Sequence, residues 1–160
     1  MLRWAVEEAD GNVAIRLAIG PSPRRIDLDG ELVLGRGRVV REGADAVLLA
    51  YGPVMLHEAL VAAELLDERA IGLEVVNLPW LNRFDGEWLD RLGGERLFVL
   101  EDHSPVGGLG DALRRAQARE VIVFGVEGWP SGGTPGEALA AHGLDGHSLA
   151  ERIGELARRS

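Results

Sequence analysis

Short apolar runs closed by charge, glycine or proline alternate along this chain with longer stretches whose apolar positions recur every three or four residues. The first pattern marks strands buried on both faces and the second marks amphipathic helices. Residues 46–51 are almost wholly apolar and are broken by Gly52-Pro53. A helix is expected over 54–69, with Met55, Ala59, Ala62, Ala63 and Leu66 on one side and Glu58, Asp67, Glu68 and Arg69 on the other. Residues 72–78 and 97–100 predict further strands, with a short helix over 85–92 between them that Asp85 is placed to cap. A helix beginning near Leu109 leads to a strand over 121–126. Thr134-Pro135-Gly136-Glu137 predicts a boxed helix start, and Gly143 its end. Ser148 and Glu151 predict a second capping box, opening a last helix with Leu149, Ile153 and Leu156 on one face.

Upstream, residues 34–41 predict a strand joined to the next by a turn of about five residues, too short for a parallel crossover. These two strands are therefore expected to pair antiparallel. The fold class expected is α/β: three layers, α/β/α, around a mixed, mostly parallel sheet. Residues 1–8 read as a helix end with Leu2, Ala5 and Val6 on one side. Residues 12–17 alternate Val13, Ile15 and Leu17 with Ala14 and Arg16, a strand pattern. Residues 20–30, with Pro21, Pro23 and two aspartates, read as a linker.

Composition narrows the chemistry. With 160 residues, one core is the default, and the absence of cysteine removes disulfide and thiol chemistry. A net charge of −9 argues against nucleic acid as a partner. All 17 basic residues are arginine, which excludes a Schiff-base lysine. With no long apolar run and no basic apolar leader, the chain reads as untargeted, cytoplasmic and without a membrane partner.

The stretch over 97–113, LFVLEDHSPVGGLGDAL, holds the densest candidate chemistry. Its polar cluster Glu101-Asp102-His103-Ser104 falls past a strand's carboxyl end, where ligands and partners sit in open α/β sheets. Gly107, Gly108 and Gly110 could admit a phosphate to a helix start, but the spacing is neither GxGxxG nor a P-loop. Asp102, His103 and Ser104 are the residue types of a hydrolase triad without a GxSxG elbow. His57, His142 and His147 lack the spacing of metal ligands, and His57 reads as solvated or locally bonded. The plainest account is that the glycines let helix and strand pack closely while the acids are solvated or cap the helix.

That stretch, with a strand ending in Glu-Asp-His followed by GGLG, resembles the carboxy-terminal domain of the transketolases, above all the short two-subunit forms. Collinear similarity extends to IRLAIGPSP at 15–23, LGRGRVVREGADAVLLAYGPVMLHEALVAAELL at 34–66, GLEVVNLPWLNRFD at 72–85 and FGVEGWPSGGTPGEAL at 124–139. The resemblance implies a five-stranded mixed sheet with one antiparallel strand over 31–160. It makes 1–30 the tail of the pyrimidine-binding middle domain plus a linker, so the chain is expected to be a fragment or a dissected subunit. The complete enzyme it implies moves two-carbon ketol units with thiamine diphosphate and Mg²⁺. The Gly-Asp-Gly metal motif does not occur here, and the segment over 1–17 stops short of the family's catalytic Glu. The chain by itself is thus expected to bind no cofactor and to be inactive.

Two departures bear on substrate: Ala18-Ile19 stand where many members carry Ser-Arg for a sugar phosphate, and Pro79 stands where deoxyxylulose-phosphate synthases carry Arg. A docking face of Trp80, His103, Gly107, Gly108, Gly110 and Trp129 is expected to hold the remaining domains and a second copy in a homodimer. Core or interface packing is the plainer role for both tryptophans. The alternatives are the carboxy-terminal domain of a 2-oxoacid dehydrogenase beta subunit, or a free-standing small-ligand or regulatory module.

Overall fold

The computed structural model describes residues 1–19, 21–28 and 30–158; Gly20 and Asp29 of the expected linker, and the last two residues, lie outside them. Five strands form one sheet, β1 (Arg38–Arg41), β2 (Ala46–Ala50), β3 (Leu73–Asn77), β4 (Arg96–Leu100) and β5 (Glu120–Phe124), in the order β1-β3-β2-β4-β5. Among the described residues six helices accompany them: α1 (Leu2–Glu7), α2 (Pro53–Asp67), α3 (Gly86–Arg91), α4 (Leu109–Ala116), α5 (Pro135–Ala141) and α6 (Gly146–Ala157). All pairs are parallel except β1 with β3, so the mixed, mostly parallel α/β/α sandwich is as expected.

Alternation along β2 shows how the sandwich fills. Ala46, Leu48 and Ala50 join a core with α2 and α6, while Val47 and Leu49 join a core with Leu89 of α3 and Leu109 and Leu113 of α4. Every β2 residue is buried because both sheet faces are covered. Phe98 and Phe124 stack at 5.8 Å between ring centroids, with the Arg152 guanidinium 4.5 Å from the Phe124 centroid.

Four local expectations are corrected. The first strand is antiparallel but pairs with β3, not with β2: a short link forbids a parallel neighbour yet does not force adjacency, and the sheet places β3 between them. That strand starts at Arg38, because residues 33–36 turn around the backbone of Phe84 and Asp85. There Gly35 at φ 79 lies so close that a Cβ would sit 2.6 Å from the Asp85 nitrogen. The last helix is capped by Asp145, which accepts from the His147 and Ser148 amides, so Ser148 lies inside the helix. An acid three residues upstream outcompetes the serine as acceptor for the free amides. The expected strand over 12–17 is irregular chain that pairs with no strand among the described residues. The Thr134 capping box and the Asp85 cap form as expected.

Candidate functional site at the carboxyl edge of the sheet

From β2 the chain leaves through α2 to β3 on one side, while from β4 it leaves through α4 to β5 on the other. β2 and β4 are therefore the neighbours between which the connections diverge, and the crevice past their carboxyl ends is where such sheets bind ligands or partners. Tyr51 emerges there from β2, and Glu101, Asp102 and His103 emerge from β4.

Glu101 is 0% exposed, the charged residue that the core encloses. Its carboxylate accepts from the backbone N–H of Leu109 at 2.6 Å and of Gly110 at 3.1 Å, at the start of α4. That helix has no side-chain cap of its own, since Gly108 stands at its N-cap. Glu101 therefore caps it from within the sheet, and the helix dipole offsets part of the desolvation of the charge. A Cβ at Gly108 would lie 2.2 Å from Glu101 Oε2, and one at Gly110 would lie 2.2 Å from Val123 Cγ2. These two glycines exist for close approach. Gly107, at φ 75, turns the chain, and its N–H bonds Asp111 at 2.8 Å. That bond, followed by Arg114, holds the Asp111 carboxyl below the ordinary range.

A diphosphate does not fit this turn, because an internal carboxylate already takes the amides that would receive it. Among the described residues no cluster of three His, Asp or Glu could hold a metal ion. Asp102 pairs with Arg16 at 2.6 and 2.9 Å instead of facing His103, and Ser104 Oγ accepts from the Val106 amide, so no triad is assembled.

His103 is fully engaged. Its Nδ1 lies 2.7 Å from the Ser104 carbonyl, which can only accept, so Nδ1 carries the proton. In the neutral ring Nε2 then accepts from the Tyr51 hydroxyl at 2.7 Å, with Glu101 Oε2 3.4 Å from both groups. Burial first, and then the negative charges of Glu101 and Asp102, push the Tyr51 phenol well above its ordinary value. The group thus keeps its proton in the fold after an unfolded tyrosine, with a pKa of about 10, has lost it. Its contribution to stability is full below about pH 10 and is lost as pH rises toward the folded value. Tyr51→Phe is expected to cost about 1 kcal/mol at pH 7 and to flatten the fall in stability above about pH 10, as read by urea denaturation at each pH. An alkaline fall as steep as that of the native chain would show that Tyr51 does not cause it.

The expected docking residues separate into two groups. Trp80 does not form an open surface: it is 7% exposed, its ring meets Trp4 edge to face at 4.7 Å, and its Nε1 donates to the Val33 carbonyl. Residues upstream of β1 cover it. Trp129 is 94% exposed, and His103 is partly open at the same edge. The pattern of the sequence missed the place of Tyr51 at the site, the Arg16–Asp102 pair, and the exposure of Leu17, Ile19 and Val106. The signal for Tyr51 was present, as the last residue of an apolar run. Ile19, standing where many members of the resembled family carry a phosphate-binding Arg, is fully exposed, while Arg16 and Arg24 are committed to Asp102 and Glu64.

Comparison with known proteins agrees with this architecture. The family model for the transketolase C-terminal domain matches residues 35–148. A 1-deoxy-D-xylulose-5-phosphate synthase from Picosynechococcus is 33% identical over 96% of this chain and 26% of its own length. A putative transketolase C-terminal section from Methanocaldococcus jannaschii is 32% identical over 76% of this chain and 40% of its own length. A solved structure described as a split gene transketolase, inactive beta4 tetramer, superposes with a TM-score of 0.71 at 31% identity, covering 83% of this chain and 46% of that one. The chain spans only 20–26% of the length of several synthases it is similar to. No helix among the described residues is long and apolar enough to cross a membrane. With the family model spanning the whole sheet and the sandwich superposing on a transketolase, this chain belongs to the transketolase carboxy-terminal domain family.

Proposed function

We propose that the chain is the non-catalytic assembly domain of a thiamine-diphosphate-dependent, transketolase-like enzyme. Residues 31–160 act as the carboxy-terminal domain, and 1–30 act as the end of the middle domain with its linker. In this reading thiamine diphosphate and Mg²⁺ are held by the remaining domains or subunit and not by this chain. The catalysed reaction is two-carbon ketol transfer, and the complete enzyme is a homodimer.

The observation that carries the reading is the state of the segment upstream of β1. Trp4 packs on Trp80, Arg16 pairs with Asp102, and Arg24 pairs with Glu64, so the segment is strapped to the domain at three points. Leu2, Val6, Leu17 and Ile19 nonetheless stay exposed, and the strand-like residues 12–17 join no sheet. Apolar side chains on an unpaired segment with a strand pattern suit a partner that offers a sheet edge and a cover. The relatives described as a C-terminal section and as a split gene transketolase support an arrangement in separate polypeptides.

The test has two arms. Calorimetric titration of the chain with thiamine diphosphate and Mg²⁺ is expected to be flat, and a dissociation constant in the low micromolar range would overturn the division of labour. Leu17→Asp with Ile19→Asp is expected to abolish assembly with the thiamine-diphosphate-binding part in size-exclusion chromatography, with the melting of the chain unchanged. Normal assembly of that double variant would overturn the docking role.

A further inference from the structure

Trp129 and the groove beside it form a knob and a hole on one surface. Trp129 is 94% exposed. The residues that follow it, Pro130 and Ser131, line an open groove of ≈ 250 Å³ together with Val54, Met55, Ala138 and Leu139. Two of the polar groups of the groove are already engaged: Asp102 with Arg16, and His142 Nε2 with the Ser131 N–H at 3.0 Å. Ligand pockets usually reach about 300–1,000 Å³ and aim a few free polar groups at the ligand. A smaller, mostly apolar groove suits one inserted side chain.

We infer that the groove receives Trp129 from a second copy of this chain, and that the exchange is reciprocal. The inference rests on the proposal that this edge is a docking edge, and it names the occupant of one part of it. A two-fold interface must carry knob and hole on one patch, and here they are contiguous in sequence and in space. Each indole buries about 150–250 Å² and covers a similar area of wall, so the exchange removes roughly 600–1,000 Å² from water. A stable interface needs about 1,200–2,000 Å², so the exchange alone gives a weak dimer. Charge leaves the approach possible at physiological salt: the chain carries −9, Asp102 in the groove is neutralised within its own copy by Arg16, and Glu127 and Glu137 beside it are exposed, where salt screens them.

Sedimentation velocity of the 160-residue chain from about 1 to 200 µM tests this, and the expected result is a dimer with a dissociation constant on the order of tens of micromolar. Trp129→Ala, which removes the knob, and Ala138→Phe, which fills the hole, are each expected to weaken it about thirtyfold. The double variant is expected to be no weaker than either single one. Mixing the two single variants pairs one intact knob with one intact hole, so a heterodimer tighter than either variant's own dimer is expected. Circular dichroism checks the fold of each, and Ala138→Phe keeps Trp129 as a fluorescent reporter.

Native-like dimers from both single variants would overturn the exchange while leaving assembly with the thiamine-diphosphate-binding part, tested through Leu17 and Ile19, untouched. A chain that stays monomeric at 200 µM would overturn the second copy as occupant. So would a Trp129 emission that shifts to the blue only when the thiamine-diphosphate-binding part is added.

Discussion

Glu101→Gln is expected to lower the unfolding free energy by about 2–4 kcal/mol in urea denaturation followed by far-ultraviolet circular dichroism. The side chain keeps its size, so no cavity contributes. What changes is the hydrogen bonding at the start of α4, where one carboxylate oxygen faces Leu109 N–H and the other faces Gly110 N–H. An amide can offer only its oxygen to one of them and must turn its NH₂ toward the other, leaving buried donors opposed. Each unsatisfied buried group costs about 1–3 kcal/mol, and the loss of the charge at a helix start adds a smaller term. The contact of Tyr51 and His103 with this carboxylate is disturbed in the same step. A loss under about 1 kcal/mol would show that the carboxylate is not what closes the turn. An increase in stability would show that the buried charge is a net burden.

The sandwich was legible because its cause is local and periodic. β2 is apolar at every position because both faces are covered, and α2 places Met55, Ala59, Ala62 and Leu66 on one side because that side meets the sheet. Strand order was not legible, since a four-residue link reports direction but not neighbours; it takes the β3 edge to capture β1. The last helix shows a competition between two sound caps: Ser148 and Glu151 satisfy the box pattern, yet Asp145 reaches the free amides first.

At the site, the motif over 101–110 located the edge and its glycines, and the plain expectation that an acid caps the helix holds for Glu101. That Glu101 is wholly buried could not be read, because a glutamate is almost never fully buried unless its charge finds partners, and those partners are backbone amides that leave no mark in the sequence. Trp80 and Trp129 look alike in sequence, each beside a proline after a strand. One is covered by Trp4 from far along the chain and the other stands open. Contacts across so many residues leave no periodic trace.

Gly108→Ala is expected to cost about 3–5 kcal/mol by the same measurement, although its backbone, at φ −84 and ψ −165, suits alanine. The obstacle is space. The new Cβ would stand 2.2 Å from Glu101 Oε2 and 2.7 Å from its carboxyl carbon, distances at which something must move. The carboxylate has nowhere to go without leaving the amides of Leu109 and Gly110, and a buried charge parted from its donors is worth about 3–5 kcal/mol. Backbone entropy works the other way, since alanine restricts the unfolded chain by about 0.4–1 kcal/mol, so the steric term decides the sign. The two substitutions in this site must therefore couple. In Glu101→Ala the oxygen that meets the Cβ is gone, and adding Gly108→Ala to it is expected to cost less than about 1 kcal/mol more. Full additivity of the two losses would mean that the methyl group collides with something other than Glu101, and the internal cap would no longer explain the glycine.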